Sequence, residues 1–195
     1  MRKIIAITQV TLDGVMQAPG GPEEDPGNGF THGGWAMPFM DDDSGQEISG
    51  IIGRTFDLLL GRRTYEIWAS YWPHHVDNPI GEAFSKVTKY VVTHRPEGLD
   101  WKKSERLGSV EEVRRLKASA GPELHLWGSS VMMQGLIAAD LIDEYRMWVF
   151  PLMLGHGKRL FENGVPSRGL TLVESKKTPG GVLLNTYRPA GAVRI

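Results

Sequence analysis

The chain has 195 residues, 41% apolar and 23% charged, the balance of an ordinary globular protein. Its 22 basic and 23 acidic side chains leave a net charge of −1, so there is no basic field suited to nucleic acid. The absence of cysteine excludes disulfides, thiolate metal ligands and a cysteine nucleophile.

Met1-Arg2-Lys3 followed by Ile4-Ile5-Ala6-Ile7 resembles a charged leader, but Thr8, Gln9 and Asp13 cut the apolar run far too short. A first strand over residues 3–10 is expected instead. No run of about 20 apolar residues is available to span a membrane, so a cytoplasmic placement is expected, within one domain covering residues 1–195. Asp13, beside Gly14, either faces a ligand or caps its own turn. Residues 19–32 are rich in Gly and Pro and read as a long loop, functional or irregular. Beyond it lie Trp35 and Phe39, aromatic candidates for holding a planar substrate, and then the triplet Asp41-Asp42-Asp43.

A helix near residues 45–56 leads to a strand at 57–60. That strand breaks at Gly61 into a helix opening with Arg62, Arg63 and Thr64. Such a junction is an anion site, because the first helical N–H groups point outward at the positive dipole end and Arg adds a planar fork for phosphate oxygens. Tyr65, Trp68 and Trp72 follow at core spacing for a helix, with Tyr65 also a candidate for the substrate. His74 and His75 are adjacent, so their side chains diverge, and no metal site is expected.

A strand at 90–93 ends in Thr93-His94-Arg95, which has hydroxyl, imidazole and guanidinium but no carboxylate. In dinucleotide folds, Arg at such a place accommodates a ribose 2′-phosphate where an acid would bind the 2′-hydroxyl, so NADPH is favoured over NADH. A helix at 110–117 carries a capping box in Ser109 and Glu112. The strand at 124–127 then breaks at Gly128-Ser129-Ser130 into a further helix ending before Asp143. This second junction suggests one extended ligand bearing two phosphates. A strand at 144–151 follows, and its apolar continuation through residue 154 fits either an edge buried in a homodimer or a fully central strand. Strands at 170–175 and 182–187, separated by Pro179-Gly180-Gly181, read as a closing antiparallel hairpin.

Alternating strands and helices imply an α/β fold with a mostly parallel sheet. The ordered set Thr11-Leu12-Asp13-Gly14, Leu60-Gly61-Arg62-Arg63-Thr64-Tyr65-Glu66, Leu126-Trp127-Gly128-Ser129-Ser130, and Asp143 to Arg146 leading into Pro151 to Phe161, resembles the dihydrofolate reductase-like superfamily. More closely, it is similar to the bacterial branch related to the reductase domain of riboflavin-biosynthesis deaminase/reductases. The resemblance implies a three-layer sandwich and an NADPH-dependent reductase acting on a small planar, heterocyclic molecule. It also implies cofactor contacts from Gly61, Arg62, Thr64, Thr93, His94, Arg95, Gly128 and Ser129, with Ser129 replacing the second glycine of the family's pair and so requiring a negative φ. Dihydrofolate reductases place one carboxylate in the region of residues 35–43, which makes Asp41 a catalytic candidate beside Asp13. The alternative is a non-catalytic NADP(H)-binding protein.

Overall fold

The computed structural model describes residues 1–161 and 165–193. In chain order the elements are β1 (Ile4–Thr11), α1 (Asp42–Ile52), β2 (Phe56–Gly61), α2 (Arg62–Tyr71), α3 (Pro79–Lys86), β3 (Lys89–Val92) and β4 (Ser104–Leu107). They continue with α4 (Val110–Ala118), β5 (Glu123–Trp127), α5 (Ser130–Ala138), β6 (Glu144–Phe150), β7 (Leu170–Lys177) and β8 (Leu183–Pro189).

The strands form one sheet in the order β4-β3-β2-β5-β1-β6-β8-β7. Neighbours from β4 through β6 pair in parallel, while β8 runs antiparallel to both β6 and β7. The expected α/β architecture and antiparallel closing hairpin are thus present. β1 lies between β5 and β6 and is covered on both faces, which is why Ile4 to Ile7 is uninterruptedly apolar. Ile4, Ala6 and Val10 pack toward Val113 of α4 and toward Met133 and Leu136 of α5. Ile5 and Ile7 pack on the other face with Ile51 of α1, and beside them Leu58 and Leu60 meet Tyr65 of α2 and Phe84 of α3. Helix, sheet and helix therefore make three layers.

Two elements were absent from the sequence expectations. β4, Ser-Glu-Arg-Leu, pairs only with β3 at the sheet edge and has no apolar run to announce it. Helix α3 follows the Asn78 cap with Pro79 at its first turn, in a stretch to which the sequence reading assigns no element. Of the two explanations for the run from Met147 to Leu154, the internal one holds. β6 is an internal strand between β1 and β8, with Trp148 and Phe150 buried, so its apolar character reflects burial within the chain and gives no basis for a dimer edge.

Candidate functional site

β2 and β5 are neighbours in the sheet, and each ends where a helix begins. The N-termini of α2 and α5 therefore lie side by side at the carboxyl end of the strands, the usual place for a ligand crevice in open α/β sheets. Side-chain caps separate these helices from the rest. Asp41, Asn78 and Ser109 accept backbone N–H bonds at the starts of α1, α3 and α4, whereas Gly61 and Ser129 give no side-chain cap to α2 and α5. A helix start without a side-chain cap is the kind of end that can receive an external anion.

Ser129 locks the two junctions together. Its Oγ accepts from Gly61 N at 2.9 Å and donates to the Trp127 carbonyl at 3.0 Å, while its own N–H donates to Thr64 Oγ1 at 3.1 Å. The negative φ expected for Ser129 is overturned: its φ is +55° and its ψ +45°, directly after Gly128 at φ +55°. A serine in this left-handed region costs roughly 1–2 kcal/mol. Two hydroxyl hydrogen bonds across the junction offset it, at about 1 kcal/mol each.

The basic groups converge differently from the linear reading. Arg62 Nε donates to Glu66 Oε1 at 2.7 Å, and its Nη1 donates to the Glu97 carbonyl at 2.7 Å. Arg95 Nη2 reaches the same Glu66 oxygen at 3.1 Å. The strand end after β3, free of acids in sequence, thus acquires a carboxylate from one turn into α2. Thr93 Oγ1 accepts from Arg95 N at 3.1 Å, closing the turn, and His94 is exposed. Arg106 of β4, missed in sequence, donates from Nε to the Thr93 carbonyl at 3.1 Å and adds a further cation. Its only sequence signal was an arginine within a short polar strand.

Arg63 turns toward the long loop, donating to Asp25 Oδ1 at 3.1 Å, while Lys158 Nζ holds Asp25 Oδ2 at 2.6 Å. Burial of Asp25 raises its pKa, but the hydrogen bonds and charges of Lys158 and Arg63 outweigh this and leave it below the ordinary value. Gln17 ties down the same loop, donating to the carbonyls of Asp25 and Gly27 and accepting from Lys158 N. Residues 19–32 are therefore pinned to the rest of the fold.

Both catalytic carboxylate candidates have scaffold contacts. Asp13 accepts from the Thr11 hydroxyl at 2.5 Å, from Gly155 N at 2.8 Å and from Leu154 N at 3.3 Å. The Thr11 bond is the largest influence; burial, the next largest, opposes it, and with these amides and Arg159 the carboxyl is held below its usual range. Asp41 accepts from Ser44 N at 2.9 Å and from Gly180 N at 2.7 Å, joining the start of α1 to the β7–β8 turn. These amides, with the Ser44 and Thr178 hydroxyls, bring its pKa down to about 2. Asp42 and Asp43 are exposed.

Among the aromatic candidates, Tyr65 is displaced from its expected role. It is buried, its hydroxyl accepts from Trp101 N at 2.9 Å, and its ring belongs to the cluster beneath α2 and α3. Core spacing won over ligand contact at this position. Trp35 is also buried, with Nε1 donating to the Gln17 carbonyl at 2.7 Å and its ring edge-on to Phe150 at 5.2 Å. Phe39 is only partly buried and packs edge-on to Phe150 at 6.1 Å. Trp127, not singled out in sequence, ends β5 with a buried Nε1 that has no partner.

Among the described residues, no group of three or more His, Asp or Glu side chains is placed to hold a metal, and no helix is long and apolar enough to cross a membrane. A groove of about 410 Å³ lined by Ile52, Arg54, Phe56, Glu82 and Lys86 lies at the amino end of β2. Gly61 is at the strand's other end, so this groove gathers none of the junction residues.

A family model described as the RibD C-terminal domain matches residues 2–184. The Bacillus subtilis (strain 168) protein YyaP, itself uncharacterised, is 27% identical over 191 residues, covering 95% of this chain and 94% of YyaP. Among solved structures, one assigned to riboflavin biosynthesis from Shewanella sp. PV-4 superposes with a TM-score of 0.66 at 22% identity, covering 96% of this chain and 98% of the other. Dihydrofolate reductase from Enterococcus faecalis, complexed with NADP(H), superposes with a TM-score of 0.62 at 18% identity, covering 96% of each chain.

Proposed function

Because the chain belongs to the RibD C-terminal domain family, we propose that it is an NADPH-dependent reductase that transfers a hydride to a small planar, heterocyclic acceptor. The paired, uncapped starts of α2 and α5, bridged through Ser129, carry this reading. Their geometry fits a ligand with two linked phosphates. Gly61, Arg62, Arg63 and Thr64 would hold one side of the pyrophosphate and Gly128, Ser129 and Ser130 the other. Thr93, His94 and Arg95, with Arg106, would meet the ribose 2′-phosphate. NADPH, when bound, supplies the hydride.

The chain's own residues would orient and shield the acceptor. Phe39 offers an accessible aromatic face, and the unpartnered Trp127 Nε1 offers a donor at the carboxyl edge of the sheet. Asp13 and Asp41 fit scaffold roles better than proton donation, because each is held ionised by donors from its surroundings. That observation also supports the second reading, a non-catalytic NADP(H)-binding protein. A screen of heterocyclic acceptors that follows loss of reduced-nicotinamide absorbance separates the two: turnover supports the reductase, and tight cofactor binding without any turnover supports the alternative.

Titration calorimetry tests the cofactor site directly. Arg62→Ala is expected to weaken NADPH binding by about 1.5–3 kcal/mol, the range for hydrogen bonds to charged groups. Unchanged affinity would make Arg62 a purely structural link between α2 and the Glu97 carbonyl.

A cytoplasmic setting and a homodimer are part of the proposal, with the exposed hairpin as the face offered for the dimer. Every residue of edge strand β7 is exposed, with Leu170, Leu172 and Val173 apolar, and Leu183 of β8 is exposed beside it. Sedimentation at micromolar concentration should give twice the 21.6 kDa chain mass. Leu172→Lys should shift it to monomer, and a monomer from the unaltered chain would reject this interface.

A further inference from the structure

Glu66 stands between Arg62, proposed above for the pyrophosphate, and Arg95, proposed for the 2′-phosphate. Its Oε1 lies 2.7 Å from Arg62 Nε and 3.1 Å from Arg95 Nη2, and the side chain is 35% exposed, so the carboxylate can be reached from solvent. Arg62 is far less free, being 16% exposed. Its Nη1 is held by the Glu97 carbonyl, and a Cβ on Gly98 would come within 2.8 Å of Nη2. The guanidinium is wedged beneath the 97–98 backbone with its Nε facing Glu66.

An incoming 2′-phosphate would meet a carboxylate of like charge already occupying donors on both arginines. A ribose 2′-hydroxyl, in contrast, can donate to that carboxylate. We infer that Glu66 is a specificity-determining residue at the adenosine end of the cofactor, restraining the preference for NADPH over NADH. This rests on the cofactor reading above. The hydrogen bond from Arg62, followed by the charges of Arg62, Arg95 and Arg63, keeps Glu66 below its usual pKa, so it is an anion at neutral pH.

The test is Glu66→Gln, with Glu66→Ala as a second variant in case the amide retains both arginine contacts. Binding of NADPH and NADH is measured by calorimetry, alongside adenosine 2′,5′-bisphosphate and 5′-AMP, which isolate the adenosine end. Removing the charge should raise the NADPH-to-NADH affinity ratio at least about tenfold, the scale of one charge-assisted hydrogen bond, with the nucleotide pair moving likewise. If Glu66 serves instead to present the arginines, the ratio will stay level or fall while both dinucleotides still bind. That result overturns the inference and leaves the cofactor reading intact. Failure of both dinucleotides to bind the unaltered chain overturns both, whereas NADPH binding with no detectable NADH binding overturns the inference alone.

Discussion

Acidification from pH 6.5 to about 4 is expected to remove roughly 3 kcal/mol of folding stability through His125 alone, since each pKa unit is worth about 1.4 kcal/mol. His125 is fully buried in β5, with its ring stacked on Phe56 at a centroid separation of 4.4 Å. Nε2 lies 3.1 Å from Glu123 Oε1, and Arg54 grips the same carboxylate at 2.7 and 3.2 Å. Nδ1 has no partner, so protonation there would create a buried donor with nothing to accept it. Burial pushes the imidazole down to about 4, with Glu123 opposing only part of the shift.

The folded pKa therefore lies below the unfolded value of 6.5. Above pH 6.5 both states are neutral and the stability is intact, whereas below it the unfolded chain gains a proton that the native chain refuses. Stability falls until pH reaches about 4. Asp41 acts in a lower window, losing its contribution as pH drops from 3.8 toward 2. Denaturant melts of the unaltered chain, His125→Phe and His125→Leu at pH 7 and pH 4.5 check this. The substitutions should flatten the decline, and parallel losses in all three proteins would assign it to other groups.

Lys89→Met is expected to stabilise the fold at pH 7 by about 1–3 kcal/mol, within the range seen when buried charges give way to apolar side chains of similar volume. At this chain length, that corresponds to a rise in Tm of several degrees. Lys89 is fully buried in β3. Nζ donates to the Lys102 carbonyl at 2.9 Å and lies 4.5 Å from the centroid of the Trp101 ring. One hydrogen bond and one aromatic face are modest compensation for a buried ammonium. Burial, assisted by the charge of Lys103, brings its pKa down from 10.5 to about 8.

Below pH 8 the cation is charged in both states and its burial penalty is fully present. Between pH 8 and 10.5 the folded chain sheds the proton first, so native stability should climb through that interval. Thermal melts across it should show a rise in the unaltered chain and a flatter curve in Lys89→Met. If the methionine variant is less stable throughout, the Trp101 and Lys102 contacts outweigh the cost of burial.

The parts of the fold that could be read in advance are local. Leu58-Leu59-Leu60 followed by Gly61 announces a strand turning into a helix, because a continuous apolar run, a permissive residue and a first-turn pattern all lie within a few positions. The same logic found β5 and α5 around Gly128, and Pro179-Gly180-Gly181 between β7 and β8. It failed for β4, whose Ser104-Glu105-Arg106-Leu107 is polar because an edge strand has little to bury. For the run around Trp148 and Phe150 it gave the strand but left open what covers it, since an apolar strand reads alike whether this chain or a second copy does so; the sheet places it internally.

Most of the order of strands and helices, and the two strand–glycine–helix junctions, follow from spacing and residue type along the chain. The roles of individual charged groups depend on contacts between distant segments. Ser129 meets Gly61 from 68 positions away, Glu66 meets Arg95 from 29, and Asp41 meets Gly180 from 139. Whether a carboxylate donates a proton, steadies an arginine or ties a helix to a turn depends on which donors the packed fold brings within about 3 Å. No local pattern encodes that choice, because a hydrogen bond's energy depends on the geometry of both partners, and only the assembled sheet sets that geometry.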